Sequence, residues 1–118
     1  MSRKYQHTRE AGYGTTKISA IVQPDRLQAV EQRLLELDVP GYSCFEVKGR
    51  GHYANLYASD GMTQHACVEL FISDDRAKKI AEEIMDAAHT GVAGDGIVTI
   101  EKIDALYKIE TKSLCEET

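Results

Sequence analysis

The chain has 118 residues, 42% of them hydrophobic and 28% charged, and a net charge of −5. This is the composition of a one-domain globular protein with enough material for a core, and its acidic balance argues against general binding to nucleic acid or to anionic membranes. No apolar run reaches the length of a membrane span, the first residues lack the apolar core of a secretory signal, and Cys44, Cys67 and Cys115 form neither a CxxC pair nor a disulfide framework, so a reducing cytoplasm is expected.

Residues 1–16 are polar and carry Arg3, Lys4, His7 and Arg9 against one acid, Glu10. They read as a flexible tail, with a basic arm that touches a partner as the alternative. Lys17 to Val22 is predicted as a strand. Gln23-Pro24-Asp25 opens a helix, because proline suits its first turn. Leu27, Val30, Leu34 and Leu37 recur at helical spacing, and Leu35 widens that stripe. Asp38-Val39-Pro40-Gly41 ends the helix. Tyr42 to Lys48 is a second strand, with Tyr42, Cys44 and Glu46 on one face and Ser43, Phe45 and Val47 on the other. It runs into Gly49-Arg50-Gly51 and then a polar, aperiodic loop over 52–64, long enough to point to function. His65 to Ile72 is a third strand, and Ser73-Asp74-Asp75 offers capping oxygens to the helix that follows. That helix buries Ala77, Ile80, Ala81, Ile84, Ala87 and Ala88. A strand over 97–100, a turn with a small strand over 101–109 and a polar tail from 112 complete the chain.

The order βαβ–loop–βαβ predicts an α+β protein of ferredoxin-like topology, with two helices on one face of an antiparallel sheet. Strand 66–72 alternates Ala66, Val68, Leu70 and Ile72 with Cys67, Glu69 and Phe71. Neither of its faces is patterned for water, so the helix-free face is expected to pack on another subunit.

Between the second helix and the last long strand lies Thr90-Gly91-Val92-Ala93-Gly94-Asp95-Gly96. Gly91 alone would serve as a helix stop. Gly94-Asp95-Gly96 goes further and has two readings: a second tight turn, or a loop whose successive N–H groups form an anion-binding concavity.

No HExxH, GxSxG, CxxC or Walker pattern is present, and no spacing pairs a nucleophile with a base. His52, His65 and Cys67 flank the long loop and would suit zinc or copper if its ends approach. The plainer reading is two loop histidines and a cysteine packed as a small hydrophobe. His89 is expected to fill the last helical turn, where a cation suits the dipole. Tyr53 and Tyr57 read as contact or modification residues, or as solvent-facing loop aromatics.

Three segments together resemble the P-II signal-transduction superfamily. They are Lys17-Ile18-Ser19-Ala20-Ile21-Val22-Gln23-Pro24, then Val39-Pro40-Gly41-Tyr42-Ser43-Cys44-Phe45-Glu46-Val47-Lys48-Gly49-Arg50-Gly51, then Ala88-His89-Thr90-Gly91-Val92-Ala93-Gly94-Asp95-Gly96. The similarity spans about residues 17–111, which sets the expected domain between tails 1–16 and 112–118. The resemblance implies a homotrimer that binds an adenine nucleotide in clefts between subunits and regulates other proteins without catalysis. It implies a nucleotide site of Ile21, Ser43, Gly49, Arg50, Gly51, Phe71, Thr90, Gly91, Val92, Gly94, Asp95, Gly96 and Lys108. Loop 49–64, with His52, Tyr53, Asn55 and Tyr57, resembles the family's T-loop, which docks on targets such as a membrane transporter. Residues 90–97 resemble the phosphate-cradling B-loop and residues 101–111 the C-loop that reaches a neighbour's nucleotide.

Departures from the family pattern set further expectations. Ile97 stands where nitrogen-regulating members usually carry a lysine, Lys108 and Glu110 stand for the two C-loop arginines, and His52-Tyr53 replaces an Arg-Gln pair. An apolar residue and an acid do not counter a triphosphate, so AMP or ADP is expected over ATP. The function expected is a divergent P-II-like regulator of a transporter, in inorganic-carbon metabolism with bicarbonate as a further effector. The alternative is a metal-linked P-II-like or CutA-like trimer concerned with heavy metals.

Overall fold

The computed structural model describes residues 14–50 and 62–115. β1 (Thr15–Val22) leads through a 3-10 turn at Pro24–Arg26 into α1 (Leu27–Glu36). β2 (Ser43–Gly49) and β3 (Thr63–Ser73) follow, then α2 (Asp74–Ala88), β4 (Gly96–Ile103) and a small hairpin of β5 (Tyr107–Lys108) and β6 (Ser113–Leu114). The main sheet has the order β2-β3-β1-β4 with every neighbouring pair antiparallel. With two helices on one face this is the split βαβ arrangement, and the fold is α+β and ferredoxin-like.

Strand alternation builds the core. Ile18, Ala20 and Val22 of β1 and Ala66, Val68, Leu70 and Ile72 of β3 lie buried beneath Val30 and Leu34 of α1 and six residues of α2. Those six are Ala77, Ile80, Ala81, Ile84, Ala87 and Ala88, the face expected from the helical period. Burial of each large aliphatic side chain stabilises the fold by about 1.5–3 kcal/mol. Arginines join the helices: Arg33 Nη1 lies 2.7 Å from Glu83 and 3.0 Å from Asp86, and Arg76 donates to the Leu37 carbonyl at 2.6 Å.

Several boundaries differ from expectation. Thr15 and Thr16 are buried in β1 and do not belong to a tail. The Asp74 N–H donates to the Gly14 carbonyl at 3.0 Å, and the Thr16 hydroxyl donates to the Asp74 carboxylate, so the start of β1 is tied to the start of α2. Leu35 is 70% exposed. One residue is a rotation of about 100° on a helix, which carries Leu35 off the face that Leu34 presents to the core. Ser73 occupies the N-cap position but makes no capping bond; the acids Asp74 and Asp75 instead sit at the positive end of the helix dipole. β4 continues to Ile103, where a turn was expected, and Ser113–Leu114 pairs with Tyr107–Lys108 inside the expected C-terminal tail.

The helix-free face is mixed rather than wholly apolar. One cross-strand row reads Phe45, Cys67, Ile21 and Ile97. The next reads Ser43, Glu69, Ser19 and Thr99, where Glu69 accepts the Ser19 hydroxyl at 3.4 Å and pairs with Lys17 at 3.4 Å. Phe45 and Phe71 remain substantially exposed there. Among the described residues no helix is long and apolar enough to cross a membrane.

Candidate functional site

The antiparallel register brings the glycine loop to one end of the sheet. Val22 at the end of β1 faces Gly96 on β4 and Ala66 on β3, and Gly49 at the end of β2 faces Thr63. The loop is fastened from the sheet side through a single atom: the Gly94 carbonyl accepts Gln23 Nε2 at 2.6 Å and lies 3.1 Å from Nε2 of the buried His65. A carbonyl acceptor assigns the ring proton to Nε2.

Each glycine has its own reason. Gly91 (φ 85°), Gly94 (φ 96°) and Gly96 (φ 118°) all adopt the left-handed region that favours glycine. At Gly96 a Cβ would fall 1.7 Å from the Ile21 carbonyl oxygen, so this glycine serves the close contact of β4 with β1. Gly91 is not the helix stop: α2 ends at Ala88, His89 caps it with extended backbone, and Gly91 comes two residues later. His89 therefore does not fill the last turn; its exposed ring places Nδ1 3.9 Å from Asp95.

The loop closes on its own acid. Asp95 accepts the Thr90 N–H at 2.8 Å, the Gly91 N–H at 3.0 Å and the Thr90 hydroxyl, while the Val92 N–H turns to Thr90 Oγ1 at 3.2 Å. The hydroxyl and amide of Thr90, helped by the Gly91 amide, hold the Asp95 carboxyl below the usual carboxylate range. The amides of residues 90–92 thus face the loop's own oxygens. Val92, expected in the cradle, has its N–H turned inward.

Arg50 directly follows β2 and lines neither of two clefts that take in other described candidates. Ile21, Asp95 and Gly96, with Ile97, Val98, Met85 and Ala88, line a cleft of about 320 Å³ beside the glycine loop. Ser43, Phe71 and Lys108, with Glu69, Tyr42 and Leu106, line a second of about 480 Å³ between the start of β2 and the terminal hairpin. Ser43 and Gly49 stand at opposite ends of β2, about 20 Å apart at the usual strand rise. Glu69, in the floor of the second cleft, was not singled out from sequence; an acid inside an apolar strand was the available signal. Gln23 was missed because nothing local shows that its amide reaches Gly94.

His65 and Cys67 share a face of β3, two residues apart, but burial pushes the Cys67 thiol up in pKa and so disfavours the thiolate that binds metal. Among the described residues no three His, Cys, Asp or Glu side chains gather. Gly51, His52, Tyr53, Asn55 and Tyr57 lie outside the described residues, as does most of the expected docking loop.

The sheet order, the helices on one face and the glycine loop at the strand ends define a ferredoxin-like α+β protein. The family model described as "Nitrogen regulatory protein P-II" matches residues 15–113, and the chain belongs to the P-II family. It is 32% identical over 105 residues to a "Nitrogen regulatory protein P-II" of Pyropia yezoensis, covering 83% of this chain and 94% of that one. The P-II of Rhizobium meliloti is 30% identical over 102 residues, 80% of this chain and 91% of the other. The crystal structure of Arabidopsis thaliana PII bound to citrate superposes with a TM-score of 0.75 at 25% identity, covering 87% of this chain and 90% of that one.

Proposed function

We propose that this protein is a non-catalytic regulator that binds an adenine nucleotide, AMP or ADP ahead of ATP, at a site shared between copies of a homotrimer. One observation supports the reading: Ile21, Asp95 and Gly96 line a cleft beside the glycine loop, while Ser43, Phe71 and Lys108 line a separate cleft of the same protomer. In this reading the purine occupies the second cleft of one copy and the phosphates meet Ala93-Gly94-Asp95 of the next, flanked by Gly49, Arg50 and Gly51.

The preference for fewer phosphates follows from charge. Ile97 faces Ile21 across the β1–β4 ladder and gives the loop cleft an apolar wall. Asp95 is held ionised and already occupies the Thr90 and Gly91 amides. Beyond Arg50, each added phosphate therefore meets an apolar wall and an ionised carboxylate. In the cytoplasm such a protein reports adenylate state, and bicarbonate as a second effector, to a membrane transporter in inorganic-carbon metabolism that docks on loop 49–64. Isothermal titration of AMP, ADP and ATP tests the reading: ATP binding at least as tightly as AMP and ADP contradicts the charge argument, and no adenylate binding contradicts the site.

A further inference from the structure

Arg33 of α1 turns to Glu83 on α2, and Leu35, about 200° further round the helix, lies on the opposite flank. There Leu35 (70% exposed), Val39 and the ring of Tyr42 (39% exposed) line a groove of about 280 Å³, bordered by Gln28, Glu31 and Gln32. The Tyr42 hydroxyl donates to the Glu31 carboxylate at 2.7 Å, which sets that ring as a fixed wall. Glu31 is the one charged residue of the lining, and exposed Glu36 and Asp38 add further negative charge at the end of α1.

A segment of matching character joins the fold beside this groove. Residues 1–13, which lie outside the described residues, hold Arg3, Lys4 and Arg9 against Glu10, and their aromatic residues are Tyr5 and Tyr13. They enter β1 at Gly14, whose carbonyl accepts the Asp74 N–H at 3.0 Å. Two residues on, Arg76 donates to the Leu37 carbonyl at 2.6 Å, so β1 starts at the end of the sheet where α1 stops. Tyr13 is next to Gly14 and reaches only that corner. Tyr5 is nine residues from Gly14, a span of up to about 30 Å, against about 15 Å for the ten residues of α1.

We propose that residues 3–5 dock in the α1 groove of their own chain, with the Tyr5 ring against Leu35, Val39 and Tyr42 and with Arg3 and Lys4 toward Glu31 and Glu36. Charge selects the groove, and the tether selects the chain: a short tether gives a local concentration of roughly millimolar, far above that of a second copy in dilute solution. The seat is shallow. One ring and exposed ion pairs only just offset the entropy of ordering the arm, so it is docked about half of the time and adds about a factor of two to the folded population. An arm so placed masks an apolar strip otherwise open to other proteins. The contact makes no use of nucleotide and stands apart from the adenylate reading.

Photo-crosslinking of the full chain tests it. Benzoylphenylalanine replaces Tyr5, and nitrogen-15-labelled and unlabelled chains are refolded together in equal amounts. Irradiation should join position 5 to the segment containing Leu35, Val39 and Tyr42, in pairs that are wholly labelled or wholly unlabelled. Leu35→Arg, and separately Arg3→Glu with Lys4→Glu, should each lower that yield by roughly fivefold, because the first removes apolar surface and adds a repelling charge and the second reverses the attraction. All variants should keep the wild-type far-ultraviolet circular dichroism, since Leu35 is exposed and residues 3–5 lie outside the core. Mixed-isotope pairs would place the arm on another copy and overturn the proposal. So would cross-links to another surface, no cross-link at all, or a yield that neither set of substitutions changes.

Discussion

Asp95 accepts the backbone N–H of Thr90 at 2.8 Å, so the glycine loop is braced by its own carboxylate before any ligand arrives. The brace depends on the carboxylate being charged. The folded pKa of Asp95 is lowered, so its contribution is fully present above the unfolded value, about 3.9, and is lost as pH falls through the lower folded value. Amide exchange at Thr90 and Gly91, corrected for intrinsic rate, should be slow at neutral pH and accelerate below that range. Asp95→Asn should accelerate it at neutral pH by the equivalent of about 1 kcal/mol, a charge-assisted bond discounted for screening at a partly exposed loop. Unchanged protection in both cases would show that the loop's shape comes from its glycines alone.

Light scattering in dilute solution should give the mass of a trimer. The two half-sites and the exposed Phe45, Phe71 and Ile109 motivate this. A stable monomer removes the shared site altogether, because the glycine loop and the Ser43 cleft of one chain are separate.

Core substitutions should separate two leucine-like positions that look alike on paper. Ile84 on α2 is fully buried, and Ile84→Ala should cost about 2–5 kcal/mol in chemical denaturation. Leu35→Ser should stay within about 0.5 kcal/mol, the range of ordinary surface changes. A large loss at Leu35 would mean that an assembled partner covers α1.

That contrast shows what the chain's pattern could and could not reveal. The buried face of α2 was legible because Ala77, Ile80, Ala81, Ile84, Ala87 and Ala88 follow one clean helical period. The sheet topology was legible because alternation at Ala66, Val68, Leu70 and Ile72 matches a strand covered by those helices. Leu35 misled because adjacent leucines lie on different faces, and only the position of α2 decides which is covered. Strand ends at Thr15 and Ile103 were hidden because pairing partners far along the chain extend them: Thr15 pairs with Ser73 on one side and with Ile103 on the other. At the candidate site the glycine motif could be read locally. The inward turn of its amides could not, since it comes from Asp95 reaching back to Thr90 and Gly91. The grouping of Ser43, Phe71 and Lys108 in a cleft of their own depends on register and on the hairpin's return across β3, neither of which has a local signal.

2-Oxoglutarate should not bind with dependence on magnesium and ATP. His52-Tyr53 replaces the Arg-Gln pair of the nitrogen-regulating pattern, and Ile97 supplies no charge beside the phosphates. Calorimetry with ATP, magnesium and 2-oxoglutarate together should show no heat beyond that of the nucleotide alone; a tight ternary complex would refute this.

Reversing the charge pattern should reverse the nucleotide preference. Ile97 lies in the β1–β4 ladder at the entrance of the loop, where a lysine's stem would cover the same apolar wall and carry its ammonium out to solvent. Glu110 sits exposed in the hairpin turn, two residues after Lys108. In the shared-site arrangement that turn of one copy approaches the loop of the next, so an acid there repels an incoming triphosphate and an arginine would pair with it in bidentate fashion. Lacking these cations should weaken ATP by about 1–3 kcal/mol, or roughly one to two decades. Ile97→Lys with Glu110→Arg should recover most of that for ATP and change AMP by much less, because AMP places less charge beside the new cations. Gly94→Val should abolish binding of every adenylate, since Gly94 takes a φ of 96° and its carbonyl holds the loop to Gln23 and His65; Gly94→Ala, with the same backbone strain but less bulk, should weaken binding without changing the order of preference. Titration of the three nucleotides into wild type and these variants reads all of this. If the double variant gains as much for AMP as for ATP, the new cations act through general attraction and the counting of phosphates at this loop is wrong.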